Sequence, residues 1–138
     1  EPRSASICAS TAVTVGVVGR DAFHQLMKSY PSLHDELWRA LTRRRFCDCS
    51  RQLPELSHLN QRERLRWVDT GRRIDLEAGQ SVNVSEEDAW AFVLIGAIES
   101  SGARYGSGSL FQTATEVTLK ALEKTRLVLL PRRNSEFI

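Results

Sequence analysis

The sequence predicts an α+β fold in which short strands form a β-roll of the jelly-roll kind with short flanking helices. Three observations support this prediction. The hydrophobic period changes from that of a strand to that of a helix and back, the strand-like segments are short and closely spaced, and glycines separate them. Long helices do not alternate with the strands, which argues against a doubly wound parallel sheet.

The first part of the chain reads as strand. Residues 3–18 are mostly small or β-favouring, and a short strand is predicted from Ala5 to Ala9. A second, half-buried strand is predicted by three alternating valines, Val13, Val15 and Val17.

Three helices are predicted next. The first carries an apolar face and ends at Pro31, and the second runs from a capping-box pattern at Ser32 to about Phe46. The third begins after Asn60, with a glutamate three residues later, and ends at Gly71.

Strands return after the third helix, and the most hydrophobic segment of the chain lies among them. It covers residues 92–98 and predicts a strand buried on both faces. The glycine-rich segment 100–109 is predicted to be a loop. The other predicted strands cover residues 74–76, 82–84, 117–122 and 127–130.

Composition limits the classes of function. The chain has 138 residues, of which 41% are hydrophobic and 26% charged, as in globular domains. A formal net charge of +2 gives no reason to predict a nucleic-acid partner. No apolar stretch is long enough to cross a bilayer, and no leader peptide is recognisable at the start.

Candidate catalytic and metal-binding groups are sparse. Cys47 and Cys49 have the spacing of half a zinc site, but ordinary reduced thiols at a helix end are favoured. No histidine has a nucleophile in a triad-like pattern, so an enzyme is not expected. Gly102, Gly106 and Gly108 are expected to form turns rather than to cradle a phosphate. The acidic residues 86–88 are expected to form a solvated loop rather than a calcium site. The tryptophans, Trp38, Trp67 and Trp90, are expected to pack in the core or between helices rather than to form a ligand cage.

An internal match suggests two related modules. The strand-like residues 11–15 align with residues 125–129 at an offset of 114, and Phe23 aligns with Phe137 at the same offset. We therefore predict that residues 1–46 are the end of one module, 47–56 a connector, and 57–138 most of a second, truncated at its C-terminal helices.

The start of the chain resembles the end of a cyclic-nucleotide-binding domain. The resemblance is carried by Arg3-Ser4-Ala5 with the following strand, and by Asp21-Ala22-Phe23 with two helices. It implies that Arg3 pairs with a cyclic phosphate while Ser4 and Ala5 let backbone amides approach it. Whether this cassette binds a cyclic nucleotide or is vestigial stays open, and no other cofactor is expected.

The second module resembles the same roll but departs where a nucleotide would bind. The offset of 114 places Val117 at the position of Arg3 and Leu119 at the position of Ala5. Because valine cannot pair with a phosphate, we expect a degenerate roll that serves for interaction or packing.

Around the connector between the two modules lie the segments Tyr30-Pro31-Ser32-Leu33-His34-Asp35-Glu36-Leu37-Trp38, Gln52-Leu53-Pro54-Glu55-Leu56 and Leu59-Asn60-Gln61. These segments and the order of the parts resemble the cytosolic C-terminal region of salt-overly-sensitive plasma-membrane sodium/proton antiporters. The resemblance implies a non-catalytic regulatory segment at the cytoplasmic face of the plasma membrane, acting by autoinhibition or dimer packing. Its implied partners are other cytosolic and membrane domains of the same antiporter, a second copy within the full protein, and a regulatory kinase. A working cyclic-nucleotide sensor of a channel or kinase regulator is the alternative.

Overall fold

The computed structural model describes residues 6–133. Its helices are α1 (Arg20–Ser29), α2 (Pro31–Arg51) and α3 (Gln61–Asp69), with a 3-10 turn at Pro54–Leu56. Eight strands follow: β1 (Arg72–Leu76), β2 (Ser81–Asn83), β3 (Asp88–Ile95), β4 (Ala97–Ser100), β5 (Ala103–Gly106), β6 (Leu110–Gln112), β7 (Thr118–Ala121) and β8 (Thr125–Pro131). Among the described residues, no helix is both long and apolar enough to span a membrane.

The chain divides into two compact units, Glu1–Glu36 and Leu37–Ile138. The boundary falls inside α2, whereas the module boundaries expected from the sequence lie at 46 and 56. The first unit contains α1 and the start of α2, and the second contains the rest of α2, α3 and all eight strands.

The eight strands form a double-sheet jelly roll. One sheet has the order β1-β8-β3-β6, the other has the order β2-β7-β4-β5, and every pairing is antiparallel. Successive strands mostly switch sheets, and this pattern distinguishes a jelly roll from an up-and-down barrel. The α+β fold with a β-roll, predicted from the sequence, is therefore the fold observed.

The two central strands of the first sheet are buried on both faces. In β3, Ala91 and Val93 pack between the sheets, while Phe92 and Leu94 pack against the helices on the outer face. The helical side of that outer core includes Phe46 of α2 and Trp67 of α3, whose rings meet edge to face at 5.6 Å. This double burial explains why the sequence of β3 is continuously apolar rather than alternating.

Gly96 lets the chain leave one sheet for the other. It lies between β3 and β4 with φ of 98°, and a Cβ atom there would lie 2.6 Å from the carbonyl oxygen of Lys124 and would also clash with the hydroxyl of Thr125. The predicted strand 92–98 is therefore wrong as one element, because this corner divides it.

Residues 6–19 form no strand, so both strands predicted there are wrong within the described residues. A strand exists only as part of a hydrogen-bonded ladder, and no described strand pairs with this segment. Its valines are exposed rather than half-buried.

The predicted ends of two other elements also need correction. Helix α2 begins at Pro31 and continues to Arg51, five residues beyond Phe46, so Ser32 lies inside the helix rather than capping it. The segment 100–109 contains β5, because Ser101 and Gly102, both at positive φ, make a tight hairpin turn from β4. The capping box predicted at Asn60 is confirmed.

Candidate functional site

The predicted cassette residues Arg3, Ser4 and Ala5 lie outside the described residues 6–133. Their assignment to a cyclic-phosphate site stays a prediction. Phe137, which supported the internal match, also lies outside the described part of the chain.

The corresponding positions of the jelly roll are apolar and packed. Leu119 lies in β7 opposite Val82 and is fully buried between the sheets. Val117 is half-buried and packs against the same inter-sheet cluster. No charged side chain belongs to this cluster, so its residues offer an anionic ligand no ion-pairing partner.

Two stacked aromatic rings also occupy the space between the two sheets. Tyr105 of β5 and Phe111 of β6 come from different sheets, and their rings stack with centroids 3.7 Å apart and planes 12° from parallel. Both rings pack against the inter-sheet cluster. The space between the sheets is thus occupied by the chain's own side chains, as in a protein core.

The two neighbouring cysteines lie near the end of α2 as reduced thiols. Cys47 is buried and Cys49 is half-buried, and burial raises the pKa of both thiols. A raised pKa keeps a thiol protonated at neutral pH and makes it a poor nucleophile and metal ligand. Within residues 6–133, no three His, Cys, Asp or Glu side chains are grouped to hold a metal ion.

A small cavity lies between α3 and the end of β8, and the sequence reading missed it. Its volume is about 100 Å³, and it is lined by Glu63, Arg66, Trp67, Thr70, Pro131 and Arg133. Glu63, Arg66 and Trp67 lie on one face of α3 at the spacing i, i+3, i+4, and Thr70, the C-cap residue, continues that face at i+7. That spacing is visible in the sequence and predicts the helix face. The other wall comes from the end of β8, far along the chain, so the sequence does not show that the two meet.

The indole of Trp67 is the fixed wall of this cavity. Its Nε1 donates a hydrogen bond of 2.9 Å to the carbonyl oxygen of Pro131, and its ring meets that of Trp90 edge to face at 6.1 Å. The guanidinium of Arg133 lies 5.8 Å from the Trp67 ring and 3.3 Å from Nε2 of His58. Packing of Trp67 and Trp90, expected from the sequence, is what the structure shows.

No family model matches this sequence, and no curated protein matches it. Solved structures do match it. The sensor domain of the transcriptional regulator DNR from Pseudomonas aeruginosa is 10% identical with a TM-score of 0.51, and the match covers 64% of this chain and 73% of that one.

Two further structures match with TM-scores of 0.48. A cyclic nucleotide-binding-like protein from Brucella abortus is 15% identical, over 63% of this chain and 90% of that one. A cAMP-bound structure of PfPKA-R, residues 141–441, is 18% identical over 69% of this chain. The present chain spans 39% of the length of that structure.

The chain shares the fold of the DNR sensor domain. The jelly-roll topology and that match agree, so the predicted fold class, an α+β β-roll of the jelly-roll kind with flanking helices, is confirmed. At these identities the likeness concerns the fold and leaves the ligand to be argued from the residues themselves.

Proposed function

We propose that this chain is a non-catalytic regulatory segment whose jelly roll acts through protein contacts rather than by binding a nucleotide. One observation carries the proposal. The inter-sheet space, including the positions that correspond to Arg3 and Ala5, is filled by apolar side chains such as Leu119, Tyr105 and Phe111. A cyclic nucleotide would have to displace this core, at the cost of its apolar burial.

The setting we propose is the cytosolic region of a salt-overly-sensitive type sodium/proton antiporter, at the cytoplasmic face of the plasma membrane. The support for it is the resemblance in the order of parts described above. In that setting the segment acts by autoinhibition or dimer packing, with other domains of the same antiporter, a second copy and a regulatory kinase as partners.

A working cyclic-nucleotide sensor is the second candidate. It is favoured by Arg3-Ser4-Ala5, an arginine followed by small residues, which is suited to a cyclic phosphate. The sensor would use residues of the first module, since the predicted offset of 114 matches Arg3 and Ala5 with the apolar Val117 and Leu119.

Calorimetric titration of cAMP and of cGMP into a chain extended upstream, so that the predicted first module is complete, tests both candidates. We expect no binding heat with either nucleotide from a folded sample. Micromolar binding that is lost in Arg3→Ala and kept in Arg104→Ala, a matched change at an exposed arginine of β5, would overturn the proposal and establish the sensor.

The antiporter setting has its own test. The chain would be added to vesicles containing a salt-overly-sensitive type antiporter that lacks its matching cytosolic region, and sodium-driven proton exchange measured. We expect exchange to slow as the chain is added. Unchanged exchange at saturating chain would count against autoinhibition in this setting.

A further inference from the structure

The cavity between α3 and β8 has the size and lining of a side-chain socket. Its volume of about 100 Å³ is smaller than the roughly 150 Å³ apolar cavity that accepts benzene. Its surface is mostly apolar, so the arginines in its wall contribute chiefly their methylene stems. A branched aliphatic side chain such as leucine matches this space better than a nucleotide base does.

The charges beside this socket are mainly positive. Arg66 is exposed and Arg133 half-buried, and neither forms an ion pair with a carboxylate within residues 6–133. The guanidinium of Arg133 lies beside two uncharged groups, the ring nitrogen of His58 and the indole of Trp67. Arg132, the residue between Pro131 and Arg133, is also exposed.

The neighbouring carboxylates are already engaged. Glu63, the one acidic residue in the wall, accepts a 2.8 Å hydrogen bond from the backbone amide of Asn60 as half of the capping box. Asp69 pairs with Arg39 at 3.4 Å and with Arg43 at 3.3 Å. Because neither carboxylate forms an ion pair with Arg66 or Arg133 in the described part of the chain, an external anion can pair with the two guanidiniums.

We propose that this socket binds an acidic peptide segment of a partner protein, with an aliphatic side chain inserted against Trp67 and flanking carboxylates paired with Arg66 and Arg133. This inference rests on the proposed function, because it names the partner chemistry of a module that acts through protein contacts. Tryptophan and arginine, the residue types in the wall of this socket, are enriched among the residues that dominate binding energy in protein interfaces, and complementary charges add specificity.

The probe is a heptapeptide, acetyl-Glu-Asp-Glu-Leu-Glu-Asp-Glu-amide, titrated into the isotope-labelled chain and followed by NMR. The indole N–H signal of Trp67 should move, because its Nε1 donates to Pro131 in the cavity wall, while that of Trp38 should not. Replacing the leucine by serine should weaken binding about tenfold, as expected for the loss of one buried apolar side chain.

Variants locate the charges. Arg66→Glu and Arg133→Glu should each weaken the peptide about tenfold, whereas Arg44→Glu, the same charge change at an exposed position of α2, should leave it within twofold. Equal loss in all three variants, or equal binding of the serine peptide, would overturn the socket in favour of general charge attraction.

Two other outcomes would also overturn it. Binding of anionic lipid vesicles that is lost in Arg66→Glu, with no response to the peptide, would assign the surface to a membrane. A Trp67 shift produced by inorganic phosphate alone, equal to that of the peptide, would assign an anion site without a socket. The nucleotide titration is independent, so the proposed function and this inference fail separately.

Discussion

Two segments that both have a strand-like sequence differ in this molecule, because one forms a buried strand and the other is exposed and forms none. Residues 11–15 and 125–129 align in sequence, and both contain β-favouring apolar residues. Val13, Val15 and Val17 are 61%, 71% and 88% exposed, whereas Leu127 and Leu129 of β8 are 0% and 1% exposed. Strand β8 has partners on both sides, β1 and β3, and residues 6–19 have none among the described strands. A β-favouring sequence therefore predicts the ability to form a strand, and neighbouring strands decide whether one forms.

The largest expected difference between the two segments is in the effect of replacing one apolar side chain in each by alanine. Leu129→Ala removes a side chain from the inter-sheet core and should lower the free energy of unfolding by about 2–5 kcal/mol. Val15→Ala, in the exposed segment, should change it by less than about 0.5 kcal/mol. Urea unfolding followed by tryptophan fluorescence measures both, and a large loss in Val15→Ala would mean that the segment packs in solution.

Replacing one glycine by alanine in each region should also affect stability unequally. Gly96→Ala forces a side chain into a positive-φ corner against Thr125 and the carbonyl of Lys124, and should lower the free energy of unfolding by about 1–3 kcal/mol. Gly16→Ala meets nothing within 4 Å and should leave it nearly unchanged. Thermal unfolding of the two variants checks this. Equal melting temperatures would contradict the role of Gly96 as the corner between the sheets.

The helix before the roll offers a smaller effect. Asn60→Ala removes the side-chain acceptor for the backbone amide of Glu63, a 2.9 Å hydrogen bond, and should cost about 1 kcal/mol of unfolding free energy. Asn60→Asp keeps an acceptor and serves as the control, which should be close to neutral. Loss of the same size in both variants would show that the cap contributes little here.

The cysteines of the two regions should differ in their reactivity toward a thiol reagent. Cys8 is exposed, whereas Cys47 is buried and its pKa is raised by that burial. With Ellman's reagent at pH 7.5, Cys8 should react first and Cys47 only as the protein unfolds. Because Cys49 is half-buried, the control is Cys8→Ser combined with Cys49→Ser, which should remove the fast phase; a fast phase in this double variant would contradict the burial of Cys47.

The same raised pKa has a pH consequence. The unfolded chain loses the Cys47 proton at a lower pH than the folded chain does. The contribution of this thiol to stability is therefore intact below the ordinary cysteine pKa of about 8.5 and declines as pH rises above it. Urea unfolding between pH 7 and 9.5 should show a steeper decline in the native chain than in Cys47→Ala.

Local signals in the sequence were enough to predict part of this fold. Asn60 with Glu63 marked the start of α3, and the apolar residues of β3 marked a strand buried on both faces. Features that depend on contacts between residues far apart in the sequence could not be predicted from such local signals. The corner at Gly96 depends on the backbone of Lys124 and Thr125, and β5 was hidden because its turn residues made the whole segment look like loop.

The candidate site follows the same rule. A packed interior was foreseeable from Val117 and Leu119, the apolar residues that the sequence alignment matches with Arg3 and Ala5. The cavity beside Trp67 was not, because one wall is a helix face and the other is the end of β8. Sequence periodicity identifies faces, and only the folded chain shows which faces meet.

The pairing of β1 with β8 also fixes how the roll responds to tension. The beginning of β1 lies beside the end of β8, with Arg72 opposite Leu129, so the two flanks of the roll emerge side by side. Hydrogen bonds between antiparallel strands run perpendicular to them. Pulling the flanks apart therefore loads these bonds one after another, as in opening a zipper, rather than all at once in shear. A roll anchored at both flanks would thus open at low force from the β1–β8 seam.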